Sequence, residues 1–500
     1  MTDEPILTRA RTAGYDRSGV TPGIAHIGVG NFHRVHQAVY LDELLDRRTD
    51  QSDWGVLGVE LLGGRRTAQR ASALSQQDNL YSHTVFHPDG VREWRVVGSI
   101  VGYLHGPADP AAVVRALSMP NIRVVGLTIT EGGYHLDPAT GEFGGDGPET
   151  AAADLAREHP ETTFGVLTAA LRARRDAGIG PFTVLSCDNL PGNGKAARAA
   201  TLGFAEAADP PLAHWIGRNV TFPDSMVDRI APAVDASVRD ALNAVTGLPD
   251  RVPVFSEAHR QWVVEDGFCN GRPAWEEVGV EVRPDVAAFV TVKQRLLNAA
   301  HSMLAYPALL AGHTYIHEAV ADPPLAELAG TFMAEDVAPW LRPPRGLSPR
   351  AYAREVLTRF GNPALPDTVA RVAGDGAVKI PAFVRATADE LLRGGDVRRL
   401  ALLAAAFRSC VNGHDGRGGP LASEPNLRDG DWRLLRSTDP LDALEAGPFR
   451  GWGLAGHAGF VEAYRTSVVA LDSEGVHAAV RRAVDRTAPG RAAGARRPGR

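Results

Sequence analysis

Apolar runs alternate with amphipathic segments through the first half of the chain. The runs GIAHIGVG from Gly23, WGVLGVEL from Trp54 and IRVVGLTIT from Ile122 predict strands. The segments that follow the first two runs, beginning at Phe32 and Arg65, carry apolar side chains at helical spacing. This succession of elements is typical of βαβ units built around a parallel sheet.

Other patterns mark the limits of this region. The run FTVLSC before Asp188 predicts a further strand, and YSHTVFHPDGVREWRVVGSI predicts two strands joined through a Pro-Asp-Gly turn. From about Asp285 onward the chain changes to long Ala- and Leu-rich stretches at helical period.

These patterns predict a fold class and two domains. We expect an α/β Rossmann-type domain with a mostly parallel sheet over residues 1–285, and a mainly α-helical domain over residues 286–488. Residues 489–500 are rich in Arg, Gly and Pro without large apolar side chains, which predicts a disordered tail.

Composition narrows the classes of protein to consider. Only three cysteines occur in 500 residues, and their spacing fits neither a disulfide framework nor a structural zinc site. The chain lacks a signal-peptide pattern and any apolar run of about 18 residues, so we expect a cytoplasmic protein outside the membrane. A net charge of -6 gives no reason to expect a nucleic acid partner.

The first strand ends in a glycine-rich turn. Gly28 and Gly30 would allow the backbone to approach a pyrophosphate, but His33 stands where the GxGxxG pattern has its third glycine. The turn alone therefore leaves open a nucleotide site and an ordinary tight turn. Arg34 and His36 are either anion contacts or solvated helix residues.

Residues after the second and third strands bear on the choice of cofactor. Glu60 is the one candidate to accept hydrogen bonds from the ribose hydroxyls of NAD. Arg65 and Arg66 follow it, and they could meet the 2′-phosphate of NADP or simply begin a solvated helix. Glu131 follows the third strand, where it could contact cofactor or relay protons. We expect NAD, with NADP as the alternative.

The segment KQRLLNAAH brings three chemical groups together. At about 100° per residue, an α-helix would place Asn298 roughly 140° and His301 roughly 80° from Lys293. An amine, a carboxamide and an imidazole could then border one cavity and move a proton at an alcohol carbon without a metal. The structural alternative is an amphipathic helix with a buried amide and a hydrogen-bonded histidine, which this segment alone favours.

Six motifs together resemble the polyol-specific long-chain dehydrogenase family, over nearly the whole chain from Gly23 to about Tyr464. That resemblance implies a Rossmann-type domain, a helical domain and a cleft between them. It also implies metal-independent hydride transfer between NAD and a polyol/ketose pair, and D-mannitol with D-fructose is the pair we expect most. Relatives are often monomeric, so we expect a monomer or weak oligomer. The motifs, in chain order, are GIAHIGVGNFHRVHQA, TITEGGYH, SCDNLPGNG, FPDSMVDRIAP, QWVVEDGFCNGRPAWEEVGV and KQRLLNAAH.

The resemblance also implies roles for individual residues. Lys293 would be the general acid/base, with a pKa lowered by burial in the cleft. Asn189 and Asn298 would stabilise the developing alkoxide, and His301 would orient the reacting group. The remaining implied contacts are Asp228, Arg371 and Lys379 for the substrate, and Gly28, Gly30, Phe32, Glu60 and Glu131 for the cofactor.

Two departures from the family pattern keep alternatives open. The GGRR segment after the second predicted strand lacks the acidic residue that many relatives show, which leaves the choice between NAD and NADP open. The chain reads EAHRQW where relatives commonly read EPFxQW, so His259 and Arg260 introduce positive charge beside a predicted strand. A uronate reductase acting on fructuronate is then the second candidate, with Arg260, Arg371 and Lys379 around the carboxylate.

A dinucleotide-binding regulator without catalysis is a remote third. A Ser or Cys hydrolase has little support, since GxSxG is absent.

Overall fold

The computed structural model describes residues 14–137, 140–413 and 421–485, together with the backbone of residues 8–11. The predicted tail at residues 489–500 lies outside the described residues. Two compact units divide the chain, Met1–Ala287 and Ala288–Arg500.

All strands of the described residues lie in the first unit. In chain order they are β1 Thr8–Arg11, β2 Pro22–Ile27, β3 Gly55–Glu60, β4 Tyr81–Phe86, β5 Arg92–Val97, β6 Ile100–His105, β7 Val124–Leu127, β8 Thr183–Ser186, β9 Ser225–Asp228, β10 Val254–Glu257, β11 Gln261–Val264 and β12 Glu281–Val282.

The α-helices run through both units. In the first they are α1 Asn31–Val35, α2 Gln37–Arg47, α3 Arg65–Gln76, α4 Pro110–Leu117, α5 Gly147–Leu155, α6 Thr163–Asp176, α7 Asn193–Ala208, α8 Pro210–Asn219 and α9 Ala236–Thr246. Helix α10, Val286–Val292, begins at the unit boundary. In the second unit they are α11 Ala299–Leu310, α12 Ile316–Ala321, α13 Pro323–Thr331, α14 Pro349–Phe360, α15 Val369–Ala373, α16 Gly376–Leu391, α17 Arg398–Asn412, α18 Asp429–Leu435, α19 Ala458–Ser473 and α20 Val476–Val484.

Shorter helical turns connect these elements. Two are π turns, Lys293–Asn298 and Phe332–Val337. The others are 3-10 turns at Arg17–Gly19, Thr49–Trp54, Glu131–Tyr134, Trp275–Val278, Ala338–Trp340, Pro440–Glu445, Gly447–Phe449 and Leu454–Gly456.

A five-stranded parallel sheet, in the order β6-β3-β2-β7-β8, forms the centre of the first unit. Its middle strand is buried on both faces, because Ala25 and Ile27 join one apolar cluster and Ile24 joins another. A strand covered on both sides reads as a continuous apolar run, which is why GIAHI was recognisable. The predicted fold class, with its mostly parallel sheet and helical second half, is confirmed.

Two smaller sheets complete the first unit. One has the order β1-β5-β4-β10, and its β4–β5 pair is the antiparallel hairpin predicted around the Pro-Asp-Gly turn. The other has the order β12-β11-β9, with β9 antiparallel to β11. This second pairing sets Gln261 opposite Asp228, so the motifs FPDSMVD and QWVVEDG are neighbours in space.

The second unit is helical throughout its described residues and packs around α17, whose buried face extends from Arg399 to Val411. The Arg399 guanidinium forms two 2.6 Å bonds with the Asp336 carboxylate of a π turn, and it donates to the carbonyl of Ala483 in α20. This buried pair therefore ties three elements together. In the described part of the chain, no helix is both long and apolar enough to span a bilayer.

Candidate active site

The turn after β2 has the backbone geometry of a close-approach loop. Gly28 has φ +93°, and a Cβ there would lie 2.2 Å from the carbonyl oxygen of Thr128. The Thr128 hydroxyl donates to the Gly28 carbonyl at 2.6 Å. No other residue fits this position without strain. A Cβ at Gly30 would meet nothing within 4 Å, so this part of the backbone borders open space that a pyrophosphate could use.

His33 explains how the loop forms without its third glycine. The His33 ring stacks on His26 of β2, with ring centroids 3.6 Å apart. His26 in turn makes a 2.9 Å hydrogen bond with Thr128, whose hydroxyl donates to Gly28, so the His26 Nε2 must carry the proton. A glycine, Gly126, leaves room for the His26 ring on the neighbouring strand. Two stacked imidazoles therefore stand where a standard motif brings helix and strand into direct contact.

Neither alternative considered for Arg34 and His36 is correct, because both side chains are buried. Arg34 donates to the carbonyl of Val252 and to the Asn31 side chain. His36 bonds to the Gln261 carbonyl at 3.0 Å, and burial lowers its pKa to about 3. The helix predicted after the glycine turn also breaks here, since His36 has φ −117° and ψ −90°.

The end of β3 presents arginines rather than an available carboxylate. Glu60 is 2% exposed, and its carboxylate accepts from Arg70 and from the Leu62 amide. Arg65 and Arg66 are exposed in the first turn of α3. The ribose contact proposed for Glu60 would therefore compete with a buried ion pair.

Asp188 organises the ends of β7 and β8, a role that our sequence analysis missed. Its carboxylate accepts from the amides of Ile129 and Thr130, and from the Tyr134 hydroxyl at 2.6 Å. Burial raises the pKa of this carboxyl despite the three donors. The carboxylate thereby fixes the turn that carries Glu131, while Asn189 follows Asp188 directly. The available signal was its place at the carboxyl end of a parallel strand.

Asp228 lies at the end of β9 and is buried. Its carboxylate is 3.4 Å from the Nε2 of His259, the histidine that departs from the family pattern. The new imidazole therefore faces the predicted substrate contact of the same unit.

Arg260 is committed to structure. It donates to both carboxylate oxygens of Glu43, and its guanidinium lies 4.3 Å from the centre of the Tyr40 ring. Arg229, which follows Asp228, is also held by structural contacts, since it donates to the carbonyls of Glu257 and Val35. The positive charge of Arg260 is thus balanced by the Glu43 carboxylate.

In the second unit, KQRLLN forms a π turn instead of the predicted α-helix. Bonding from residue i to i+5 brings Lys293 and Asn298 to adjacent positions on one side, where an α-helix would hold them about 140° apart. The α-helix that continues from Ala299 then sets His301 three residues beyond Asn298, on the same face. The wider turn therefore aligns the three groups better than the predicted helix.

Packing fixes Lys293 and His301, the first and last of these three aligned residues. Lys293 is 8% exposed, so its amine is largely removed from water. The His301 ring stacks on Phe360 of α14 at 3.9 Å, with an interplanar angle of 8°. Arg295 points into the opposite side of the turn, where it bonds Thr387 and Glu390 of α16. The turn is thus held from behind by a neighbouring helix.

The two basic residues predicted to bind substrate lie at the corner between α15 and α16. Arg371 pairs with both oxygens of Asp367 at 2.6 Å. The Lys379 ammonium donates to the carbonyls of Arg371, Val372 and Gly374, the last at 2.6 Å. Because an ammonium has three donors, a substrate oxygen would have to replace one of these carbonyls.

A buried carboxylate holds the same corner from the other side. Glu424 is 6% exposed and accepts from the amides of Gly376 and Ala377, at 2.8 and 3.0 Å. A Cβ at Gly376 would lie 2.1 Å from the Tyr306 hydroxyl, so this position requires glycine. Burial raises the pKa of Glu424 to about 7. The corner that carries Lys379 therefore depends on an acid that titrates near neutrality.

We expect Glu424 to make stability depend on pH. The pKa of Glu424 is 4.5 in the unfolded chain and about 7 in the folded protein. Between these two pH values the folded protein holds a proton that the unfolded chain has lost. The free energy of unfolding should therefore fall as pH rises through this window, by at most about 3 kcal/mol. Chemical unfolding at about pH 5 and about pH 8 should show a smaller fall for Glu424→Gln. Equal falls in both proteins would contradict this assignment.

Comparison with known proteins follows the division seen in the fold. Residues 22–277 match the model of the mannitol dehydrogenase Rossmann domain, and residues 285–471 match that of the mannitol dehydrogenase C-terminal domain. The chain belongs to the mannitol dehydrogenase family. The resemblance stated from its motifs is thereby confirmed, and with it the assignment to a family of polyol dehydrogenases.

Individual relatives cover nearly the whole chain. The mannitol 2-dehydrogenase of Cereibacter sphaeroides is 44% identical over 86% of this chain and 88% of its own. The polyol:NADP oxidoreductase of Gluconobacter oxydans is 42% identical over 88% of this chain and 90% of its own.

Two solved structures share the fold. A substrate-free D-sorbitol dehydrogenase has a TM-score of 0.86 at 39% identity, over 95% of this chain and 100% of its own. The Pseudomonas fluorescens mannitol 2-dehydrogenase, solved with NAD and D-mannitol, has a TM-score of 0.84 at 36% identity, over 96% and 97%.

Proposed function

We propose that this protein is a metal-independent polyol dehydrogenase that interconverts D-mannitol and D-fructose with NAD. The observation that carries the proposal is the π turn, which aligns Lys293 with Asn298 and, through the following helix, with His301. The family relation supports the same reading, since curated relatives act on mannitol and other polyols by name.

Each residue has a chemical task in this proposal. The Lys293 amine accepts the proton of the substrate hydroxyl during oxidation and returns it during reduction. Amide groups of Asn189 and Asn298 donate to the oxygen as negative charge develops on it. The His301 imidazole orients the same oxygen, with its ring held by Phe360. The nicotinamide of the bound dinucleotide supplies the hydride acceptor or donor.

A buried lysine is suited to accept the proton of the substrate hydroxyl. A free amine has a pKa near ~10.4, and removal from water disfavours the ammonium form. The 8% exposure of Lys293 therefore supports its assignment as the base near neutral pH. A substrate panel tests the reaction: D-mannitol and D-fructose should turn over, and D-sorbitol and D-arabinitol measure selectivity.

Two exposed arginines favour NADP as a second possible cofactor. Arg65 and Arg66 are exposed at the start of α3, while Glu60 is held by Arg70. The named cofactors of relatives include both NAD and NADP. NAD is the proposed cofactor, because the related Pseudomonas fluorescens mannitol 2-dehydrogenase was solved with NAD and D-mannitol.

We expect the double variant Arg65→Ala, Arg66→Ala to lose NADP-dependent turnover selectively. Only NADP carries a 2′-phosphate, and a charge-assisted contact contributes about 1.5–3 kcal/mol. The ratio of kcat/KM for NAD to that for NADP should rise about 10-fold or more. Arg115→Ala, which removes another exposed arginine, should leave the ratio unchanged. An unchanged ratio in the double variant would remove these arginines from cofactor selection.

Uronate reductase is the second candidate activity, but the contacts of the three basic residues predicted to bind its carboxylate argue against it. Arg260 and Arg371 each have a carboxylate partner in their own unit, and Lys379 donates to three carbonyls. Adding fructuronate and tagaturonate to the panel decides between the two. Turnover of uronates alone would overturn the polyol proposal. Dinucleotide binding without turnover of any compound would favour a regulator.

A further inference from the structure

The backbone at Thr130 is strained. This threonine has φ +68° and ψ 162°, a conformation that essentially only glycine adopts. The other described non-glycine residues with positive φ are Asp78, Asn79, His135 and Asp375, and their residue types are enriched in that region. Thr130 is β-branched, and a β-branched residue with positive φ is a genuine outlier. Such a conformation persists only where the surrounding structure enforces it.

Asp188 enforces it here. Its carboxylate accepts from the amides of Ile129 and Thr130 at 3.1 and 2.9 Å, and from the Tyr134 hydroxyl at 2.6 Å. The Gly133 amide donates to the Thr130 carbonyl at 3.2 Å. The hydrogen bonds that Thr130 makes in the described part of the chain thus involve its backbone. A glycine at this position would form them equally well and without strain.

The Thr130 side chain has no structural task among the described residues. It is exposed, so its methyl group adds little to the core. Two glycines, Gly132 and Gly133, follow within three positions, yet position 130 itself is not glycine. Backbone strain of this kind clusters at active sites and ligand contacts. The retained threonine therefore indicates that its side chain contacts a ligand.

The position of Thr130 in the sheet indicates which ligand. The chain builds β2, β3 and β6 toward one edge and then starts again with β7 and β8 on the other side of β2. Doubly wound sheets bind dinucleotides outside the carboxyl ends of the strands at this reversal. Thr130 follows β7 there, and the glycine turn follows β2 beside it, tied by the bond from Thr128 to Gly28. Each half of such a sheet binds one nucleotide, so the half that begins with β7 binds the nicotinamide nucleotide.

We propose that the Thr130 hydroxyl binds a ribose hydroxyl of the nicotinamide nucleotide. A threonine hydroxyl donates one hydrogen bond and accepts others, as a ribose hydroxyl does. Asp188 is the positioning residue, because its carboxylate holds the strained amide. This contact rests on the proposed function for its ligand, the dinucleotide, but the identity of the polyol does not affect it.

Three variants test the contact by binding rather than by activity. In fluorescence titration with NADH, or with NADPH if that binds more tightly, Thr130→Ala should raise Kd about 3–10-fold, the loss expected for one neutral hydrogen bond. Thr130→Ser keeps the hydroxyl and should keep the wild-type Kd. Thr49→Ala, at an exposed threonine on the amino-terminal side of β3, should also keep it. ADP lacks the nicotinamide nucleotide and should bind all four proteins equally.

Thr130→Gly tests the strain separately. This variant lacks the hydroxyl, as Thr130→Ala does, but has no Cβ to strain the backbone. It should bind the dinucleotide as weakly as Thr130→Ala and melt about 2 °C above it. Equal melting temperatures would show that the position is not strained and would overturn the proposal.

The binding data have three further adverse outcomes. An unchanged Kd for Thr130→Ala, an equal loss of affinity in Thr130→Ser, or an equal loss for ADP would each overturn the contact. Wild-type protein that bound neither NADH nor NADPH would overturn the contact together with the proposed cofactor. Dinucleotide binding that depends on Thr130, without turnover of any polyol, would support the contact and overturn only the proposed reaction.

Discussion

Lys293→Ala should lose turnover by about 10²–10⁴-fold while it still binds the dinucleotide. The amine is the proposed proton acceptor, and alanine leaves only the positioning and hydrogen bonding supplied by the asparagines and His301. Loss at this scale should appear in kcat, since the proton moves in the reaction rather than in binding. Steady-state kinetics with D-mannitol and D-fructose, alongside NADH fluorescence titration, measure both quantities.

The composition offers an unusually clean control for that experiment. The chain contains three lysines, Lys195, Lys293 and Lys379. Lys195 is exposed on α7 of the first unit, so Lys195→Ala should retain full turnover. Near-normal turnover of Lys293→Ala would remove this lysine from the mechanism and leave the family assignment intact.

Asp336→Ala should lower the free energy of unfolding by about 3 kcal/mol, the lower end of what removal of one partner from a buried ion pair costs. Both side chains are at most 2% exposed, and the variant leaves the Arg399 charge inside the helical unit. Asp396 and Glu335 lie 3.6 and 3.9 Å from the same guanidinium, so they compensate in part. Denaturant unfolding measures the change.

Two comparisons separate charge burial from packing. Asp389→Ala removes a half-exposed partner of Arg385 and should change stability by less than about 1 kcal/mol. The double variant Asp336→Leu, Arg399→Met removes both charges and should recover most of the loss. Failure of the double variant to recover would show that the pair contributes through shape rather than charge.

The elements of the first unit were predictable because burial on both sides leaves a strong mark in sequence. A strand such as β2 is apolar at nearly every position, and the following glycines end it. The hairpin β4–β5 was predictable for another reason, since Pro-Asp-Gly specifies a local turn. Both signals act within a few residues of the chain.

Features that depend on distant partners were not predictable in this way. Arg260 pairs with Glu43, which lies 217 residues earlier, so its sequence context could not reveal that its charge is compensated. The π turn escaped detection because a nine-residue segment contains too few apolar positions to distinguish an i+4 repeat from an i+5 repeat. The roles of Lys293, Asn189, Asn298 and His301 remain predictions that rest on the family pattern.

The π turn also makes the second unit sensitive to chain length at one place. Between Lys293 and Asn298 it accommodates one residue more than an α-helical turn would, and regular helix continues on both sides. Deletion of a single residue here could be absorbed by reversion to an ordinary helix, with the unit still folded. Such a protein would keep all three proposed catalytic side chains in its sequence and lose their alignment. A gene carrying that deletion would pass a search for conserved residues and still encode an inactive enzyme.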